Sequence, residues 1–157
     1  MIKRFRSFLI FALLLAFAAT ALCSVGCGKK SEPFDPDAVF EKLLTTVKYE
    51  TELTDVSSSA DIMFGELPEG TKVRVYTSDG TSEDALMMFN VEDPNDVYTI
   101  RSVVKEYIDS RLYEAERYAP EQVNKLKNAE TFINGNTVIY CITDDAETAR
   151  NTFFDFN

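Results

Sequence analysis

A long apolar run close to the N-terminus limits the folded part of this chain to the residues that follow it. Three basic residues lie within the first six positions, and Phe8–Leu22 is then apolar apart from Thr20. A basic start, an apolar run of about this length and a boundary of small residues are typical of a secretory signal peptide. We therefore predict that residues 1–26 are a cleaved signal peptide and that the rest of the chain folds outside the cytoplasm.

Cys27 follows the small residues of Ser24-Val25-Gly26, as in the lipobox of bacterial lipoproteins. In that pattern the cysteine thiol is joined to diacylglycerol, and acyl chains such as palmitate hold the protein on the membrane. The position three before Cys27 is Ser24, where the pattern prefers leucine. Cys23 is a poorer candidate because the bulky Leu22 precedes it. We predict that Cys27 is the lipidation site and anchors the protein in the lipid bilayer, on the extracytoplasmic face of the cell membrane.

An uncleaved membrane helix is the alternative interpretation of the same segment. Phe8–Gly28 is just long enough to cross a hydrocarbon core of about 30 Å. Both interpretations place the remainder of the chain outside the membrane.

Removal of residues 1–26 would leave 131 residues, which suits one domain of ordinary size. These residues carry 13 basic and all 26 acidic side chains, so the formal net charge would be −13. Nucleic acid is a poor partner for such a surface, as are anionic lipid head groups. We interpret the acidity as a source of solubility and of repulsion from an anionic envelope.

The chain has no histidine, and only one cysteine follows the predicted anchor. Ser-His-Asp and Cys-His arrangements are therefore excluded, and the commonest zinc ligand is missing. Cys141 lies in the β-rich run Val138–Ile142 and has no partner for an intramolecular disulfide. Because free cysteine is among the most buried residue types, we predict that Cys141 is a small buried hydrophobe.

The patterns predict a tether over residues 27–34 and a single α+β domain over residues 35–157. Helices are expected after Asp35-Pro36 and Asp93-Pro94, because aspartate caps a helix and proline suits its first turn. A last helix is expected after Asp144, which forms a capping box with Glu147. The expected order is α-β-β-α-β-β-α, with a mostly antiparallel sheet of about four strands and helices on one face.

Four apolar or alternating runs predict the strands of this sheet. Asn134-Gly135 separates the last two runs and indicates a hairpin whose two turn residues both accept positive φ. Tyr49–Ser59 is predicted to be irregular. The four strand runs are Lys72–Tyr76, Ala85–Val91, Glu130–Ile133 and Asn136–Thr143.

Several motifs in matching order resemble those of the domain of unknown function 4358 family, small secreted lipoproteins of Gram-positive bacteria. They are the signal with Cys27, Met63-Phe64-Gly65, Val75-Tyr76-Thr77-Ser78, Tyr118-Ala119-Pro120, and Lys125-Leu126-Lys127-Asn128-Ala129 before the hairpin. The resemblance implies a lipoprotein on the outer face of the cell membrane. It brings no established activity and no catalytic residues.

No catalytic, cofactor-binding or metal-binding residue is predicted. Asp93, Asn95 and Asp96 superficially suggest calcium, but helix capping explains them better. Ser57-Ser58-Ser59 is interpreted as a solvated loop, since no base is identifiable to activate a hydroxyl. The tyrosines of the long helix do not share one face, and we expect them to pack at the core or its boundary. They are Tyr98, Tyr107, Tyr113 and Tyr118.

Two functions remain open at this point. The first is a non-enzymatic binding or interaction module at the cell envelope, with an unknown protein or envelope component as its partner. The alternative is an extracytoplasmic hydrolase that uses Asp and Glu residues as general acid and base. The chain is too short for a solute receptor with two lobes, at roughly 100–200 residues per domain.

Overall fold

The computed structural model describes residues 34–156, and its centre is a sheet built around two apolar strands. These strands, β3 (Ala85–Asn90) and β5 (Thr137–Ile142), pair with each other in antiparallel register from Ala85↔Ile142 to Asn90↔Thr137. The remaining strands are β1 (Thr54–Asp55), β2 (Lys72–Thr77) and β4 (Glu130–Asn134), and the order in the sheet is β1-β2-β3-β5-β4. All neighbouring strands are antiparallel.

Within residues 34–156, five helices accompany the sheet, which confirms the predicted α+β class. The helix N-termini at Asp35 and Asp93 also agree with prediction, because Asp35 accepts hydrogen bonds from Asp37 N and Ala38 N, and Asp93 accepts one from Asn95 N. Short 3-10 turns cover Ser57–Ser59, Pro94–Asp96 and Pro120–Gln122. The helices are α1 (Pro36–Thr46), α2 (Ala60–Phe64), α3 (Val97–Tyr118), α4 (Val123–Lys127) and α5 (Ala146–Phe154).

The helices lie on both faces of the sheet, so the expectation of helices on one face is wrong. Leu86 and Met88 face α1 and α5, whereas Met87 and Phe89 face α2, α3 and α4. The reason is in the central strands, where every residue of β5 and all but the last of β3 are buried. Strands that are apolar on both faces must be covered from both sides.

The sheet has five strands rather than about four because β1 forms within the segment predicted to be irregular. Thr54 and Asp55 pair with Thr77 and Tyr76 of β2, and Val56 N donates to Val75 O at 2.8 Å. Two exposed residues give almost no periodicity, so the sequence pattern could not indicate this strand.

The hairpin between β4 and β5 is confirmed, but its turn differs from the predicted one. The two loop residues are Gly135 and Asn136, since Asn134 already pairs with Thr137. Gly135 has φ +56°, and no residue other than glycine has positive φ among the described residues. A glycine at the first loop position with positive φ fits a type II′ turn, whereas Asn-Gly would require type I′.

The predicted signal peptide, residues 1–26, and the predicted lipidation site, Cys27, lie outside the described residues. Of the predicted tether over residues 27–34, only Phe34 is described. Its ring is half-buried and packs edge-on against Phe153 of α5, with 6.0 Å between the ring centroids. Phe34 therefore belongs to the folded part of the chain rather than to a free tether.

Candidate functional site

Four segments of the chain meet at one end of the sheet, where β2 and β5 end and β3 begins. The register places Thr77, Ala85 and Ile142 side by side at this end. The segments that adjoin it carry Glu50 after α1, Ser82 and Asp84 before β3, Lys125 in α4, and Asp144 after β5. We call these five residues the Lys125 cluster.

Lys125 is buried, with 3% of its surface exposed, and its charge is surrounded by oxygen atoms. Its Nζ lies 2.9 Å from Glu50 Oε2, 3.0 Å from Ser82 Oγ, 3.2 Å from Asp84 Oδ1 and 3.5 Å from Asp144 Oδ2. Of the three carboxylates, only Asp84 is itself buried, at 1% exposure. A buried charge is tolerated when it is paired and hydrogen-bonded. Lys125 is ion-paired with Asp84, and its hydrogen bonds go to Glu50 and Ser82.

Asp84 ties the surrounding loops together. Its Oδ2 accepts hydrogen bonds from Glu50 N and from Ser82 Oγ, both at 2.7 Å. Its Oδ1 makes the ion pair with Lys125 without hydrogen-bond geometry. Gln122 adds a second link, because it accepts from Glu83 N at 3.2 Å and donates to Glu50 at 3.3 Å. The cluster therefore joins the segments before β1, β3 and β4.

The contact between Ser82 and Lys125 resembles the nucleophile and base of a Ser-Lys hydrolase, but its chemistry differs. Burial alone would lower the pKa of Lys125, yet the hydrogen bond to Glu50 and the charge of Asp84 outweigh it and raise that pKa. The amine therefore stays protonated and cannot accept the proton of Ser82. The Ser82 hydroxyl donates to Asp84 and is only 4% exposed, so it is also shielded from a substrate.

Carboxylates do converge here, as a hydrolase would need, but each of them faces the ammonium group of Lys125. Hydrogen bonds from Lys125 and Gln122 lower the pKa of Glu50. Hydrogen bonds from Thr148 and the Lys48 backbone lower the pKa of Asp145. A general acid at neutral pH needs a raised pKa. The arrangement therefore favours an ion cluster that holds loops in place.

Cys141 agrees with its predicted role as a small buried hydrophobe. It is a free thiol with no exposed surface, and its Sγ lies 3.6 Å from Tyr49 Oη. Burial raises the pKa of the Cys141 thiol to about 12, so it is protonated and unreactive at neutral pH.

We expect the free energy of unfolding to decline as the pH rises above about 9. An unfolded thiol loses its proton near pH 8.5, whereas folded Cys141 keeps it until about pH 12, so the unfolded state binds fewer protons in this window. Lys125, whose pKa is raised in the folded state, also contributes to the free energy of unfolding. That contribution is fully present below about pH 10.4 and is lost at higher pH. Urea unfolding at pH 7, 9 and 10.5, followed by circular dichroism, measures the decline.

Cys141→Ala is the control for this profile. It should lower stability at pH 7 through lost packing but make the curve flatter between pH 8.5 and 10. An identical pH dependence in the variant and the parent protein would contradict the assignment of this part of the decline to Cys141.

Two acidic motifs have different outcomes. Asp93 caps the turn before α3, as predicted. The prediction of a capping box by Asp144 and Glu147 is wrong. Helix α5 begins after Asp145, one residue later than predicted, and Asp144 instead lies near Lys125. Within residues 34–156, no group of three or more Cys, Asp or Glu side chains is arranged to hold a metal ion.

A second feature is a groove of about 590 Å³ between α3 and the outermost strand, β4. One stripe of α3 forms its wall, at the three- and four-residue spacing of a single helix face. The floor and opposite side come from Leu126, Lys127, Ala129, Thr131 and Tyr140. The α3 residues are Tyr98, Arg101, Ser102, Lys105, Ile108, Asp109 and Leu112.

The groove is basic although the protein is acidic. Three basic side chains line it, Arg101, Lys105 and Lys127, against one acidic side chain, Asp109. Lys105 forms an ion pair with Asp109 within α3, and Lys127 lies 3.7 Å from Glu116. No ion pair to Arg101 is found among the described residues. The chain as a whole carries a formal net charge of −10, so the groove differs in sign from its surroundings.

The expectation that the tyrosines of α3 are packed is wrong for three of the four. Only Tyr107 packs inside, with its ring centroid 5.1 Å from that of Phe64. Tyr98 is 74% exposed at the groove, and Tyr113 and Tyr118 are also exposed. The buried stripe of α3 consists of Val97, Ile100, Val104 and Ala115, and Tyr98 and Tyr113 lie away from it on the helix surface.

Comparisons with known proteins agree with the resemblance drawn from the residue patterns. Residues 70–143 match the model of a family described as Domain of unknown function (DUF4358). The match contains most of the Lys125 cluster and the groove, whereas Glu50 and Asp144 lie outside it. No curated protein and no solved structure matches the chain significantly. None of the helices in residues 34–156 is both long and apolar enough to cross a membrane. Residues 70–143 of this chain belong to the DUF4358 family.

Proposed function

We propose that this chain is a non-enzymatic binding module, held at the extracytoplasmic face of the cell membrane by a lipid on Cys27. The observation that carries the binding role is the basic groove between α3 and β4. It joins an apolar floor, a charged wall and an exposed aromatic side chain, Tyr98, as binding surfaces often do. The anchor rests on the sequence pattern around Cys27.

The hydrolase alternative has less support. Its carboxylates converge only where Lys125 already pairs with them, and the nearby hydroxyl of Ser82 is buried. The groove has one acidic side chain, Asp109, whose partner is Lys105. In both places the carboxylates pair with a lysine, whereas glycoside hydrolysis requires two carboxyl groups that face the substrate.

Cys27→Ala is expected to remove the protein from the membrane fraction or to leave its precursor unprocessed. The thiol is the atom that receives the diacylglycerol, and alanine cannot accept it. Mass spectrometry of the membrane-extracted parent protein should show an acylated N-terminal Cys27. An unmodified peptide that spans Val25–Lys29 in the mature protein would refute the anchor.

The binding role is tested with a photo-crosslinking amino acid placed at Ser102, which is exposed in the groove. A matched control carries it at Thr45, which is exposed on α1 across the sheet. In intact cells we expect an adduct of one defined mass from Ser102 and none of that mass from Thr45. Equal labelling of the same proteins from both positions, or no adduct from Ser102, would contradict the proposal.

A further inference from the structure

We propose that the groove receives an extended, acidic segment of a partner protein, which pairs with β4 as a sixth strand of the sheet. This inference rests on the proposed binding role and names its partner class. Three observations carry it: the open edge of β4, the register that directs its backbone groups, and the charge of the groove.

β4 is the last strand of the sheet formed by residues 34–156 and has few of the features that protect an edge. It is five residues long, pairs with β5 in unbroken register, and contains no proline. Its one charged residue, Glu130, is paired with Arg150 of α5 at 2.6 Å. The opposite edge, β1, has only two residues, one of them the charged Asp55. Protected edges are short, charged or irregular, so β4 is the edge suited to pairing.

The hairpin register directs two peptide units of β4 away from the sheet. In an antiparallel hairpin with a two-residue loop, the residues that flank the loop form a hydrogen-bonded pair, and bonded pairs then alternate. Asn134↔Thr137 is the flanking pair here, so Phe132↔Ile139 and Glu130↔Cys141 are also bonded pairs. The N–H and C=O groups of Thr131 and Ile133 therefore point outward, where an added strand would meet them.

The groove supplies side-chain selectivity for such a strand. Thr131 lines the groove, and Ile133, 44% exposed, lies on the same face by strand alternation. Every second side chain of an added strand would face this groove and the basic groups of Arg101 and Lys127. Acidic residues at alternate positions are complementary to that wall. A second copy of this chain is less suited, because both copies carry a net charge of −10.

The test uses the full chain in detergent and fluorescent nine-residue peptides with blocked ends. One peptide alternates glutamate with valine, and its counterpart alternates lysine with valine. A third peptide has the glutamate sequence with N-methyl groups on alternate amides. We expect the glutamate peptide to bind at least tenfold more tightly than either of the others. Equal binding of all three would overturn the proposal.

Charge-reversed variants locate the binding. Arg101→Glu combined with Lys127→Glu should weaken the glutamate peptide at least tenfold and strengthen the lysine peptide. The matched control is Lys42→Glu combined with Lys72→Glu, which makes the same charge change at exposed positions away from the groove. It should leave the ratio of the two affinities unchanged. A parallel loss in both double variants would assign the preference to overall charge and overturn the proposal.

Amide hydrogen exchange decides whether the peptide adds a strand. On saturation with the glutamate peptide, the Thr131 and Ile133 amides should become protected at least tenfold, whereas the Phe132 amide is already protected by β5. Selective binding without this protection would overturn strand addition but leave the binding role intact. Failure of both peptide binding and the Ser102 crosslink would contradict the binding role itself. Concentration-dependent dimerisation that protects the same two amides would assign the edge to a second copy and overturn the proposal.

Discussion

Asp84→Ala is expected to lower the free energy of unfolding by about 3–5 kcal/mol, the range seen when one partner of a buried ion pair is removed. The substitution leaves Lys125 buried with two carboxylates, Glu50 and Asp144, whose side chains are 53% and 80% exposed. It also removes the acceptor for Glu50 N and for the Ser82 hydroxyl. Urea unfolding of the parent and variant proteins, followed by circular dichroism, measures the loss.

Asp144→Ala is the matched control, because it removes another carboxylate that contacts the same ammonium group. Its side chain is mostly in water and 3.5 Å from Nζ, so we expect a change of less than about 1 kcal/mol. The double variant Asp84→Leu with Lys125→Met should lose less stability than the sum of the two single variants, since both buried charges leave together. Similar losses for Asp84→Ala and Asp144→Ala would show that burial does not determine the energetics of this cluster.

Phe89→Ala is expected to cost about 3–5 kcal/mol of stability, as for other buried aromatic side chains. Phe89 lies in the middle of the sheet with no exposed surface, and its ring packs edge-on against Phe64 at 5.2 Å. Alanine would leave a cavity between the sheet and α3, because the backbone of β3 is held by β2 and β5 on either side. Denaturant unfolding with an unchanged m-value is the appropriate measurement.

Phe154→Ala removes the same side chain from a position that is 63% exposed on α5. Its ring meets the core only edge-on at Phe153, with 5.7 Å between the centroids, so we expect a loss of no more than about 1 kcal/mol. If Phe89→Ala were no more harmful than Phe154→Ala, the described core around β3 would be wrong.

Much of the secondary structure could be predicted because its signals are local. Asp35-Pro36 and Asp93-Pro94 mark helix starts through hydrogen bonds to residues two or three positions away. The alternation in Lys72–Thr77 indicates a strand, and the glycine of the β4–β5 loop indicates a turn. Both signals come from residues that are neighbours in the chain. The prediction of a capping box at Asp144 failed for a local reason also, since Asp145 rather than Asp144 directly precedes α5.

The candidate sites could not be predicted in this way. The acidic members of the Lys125 cluster lie 19 to 75 positions from Lys125 along the chain, and no motif links them. Lys125 itself lies in a short polar stretch that predicts an exposed side chain. The continuous apolar run of Ala85–Phe89, by contrast, does predict helices on both faces of the sheet, because a strand that is apolar on both faces must be covered on both.

Composition and local patterns in the sequence predict the α+β class and the order of the three long helices and of strands β2 to β5. They also establish the lack of histidine chemistry and the single thiol of the described domain. These follow from composition and from interactions between near neighbours. Three further features are visible in the tertiary structure alone: helices cover both faces of the sheet, Lys125 is buried among carboxylates, and a basic groove lies beside an open strand edge. Each of these depends on which distant segments pack together, and packing is set by the complementarity of whole surfaces rather than by any local pattern.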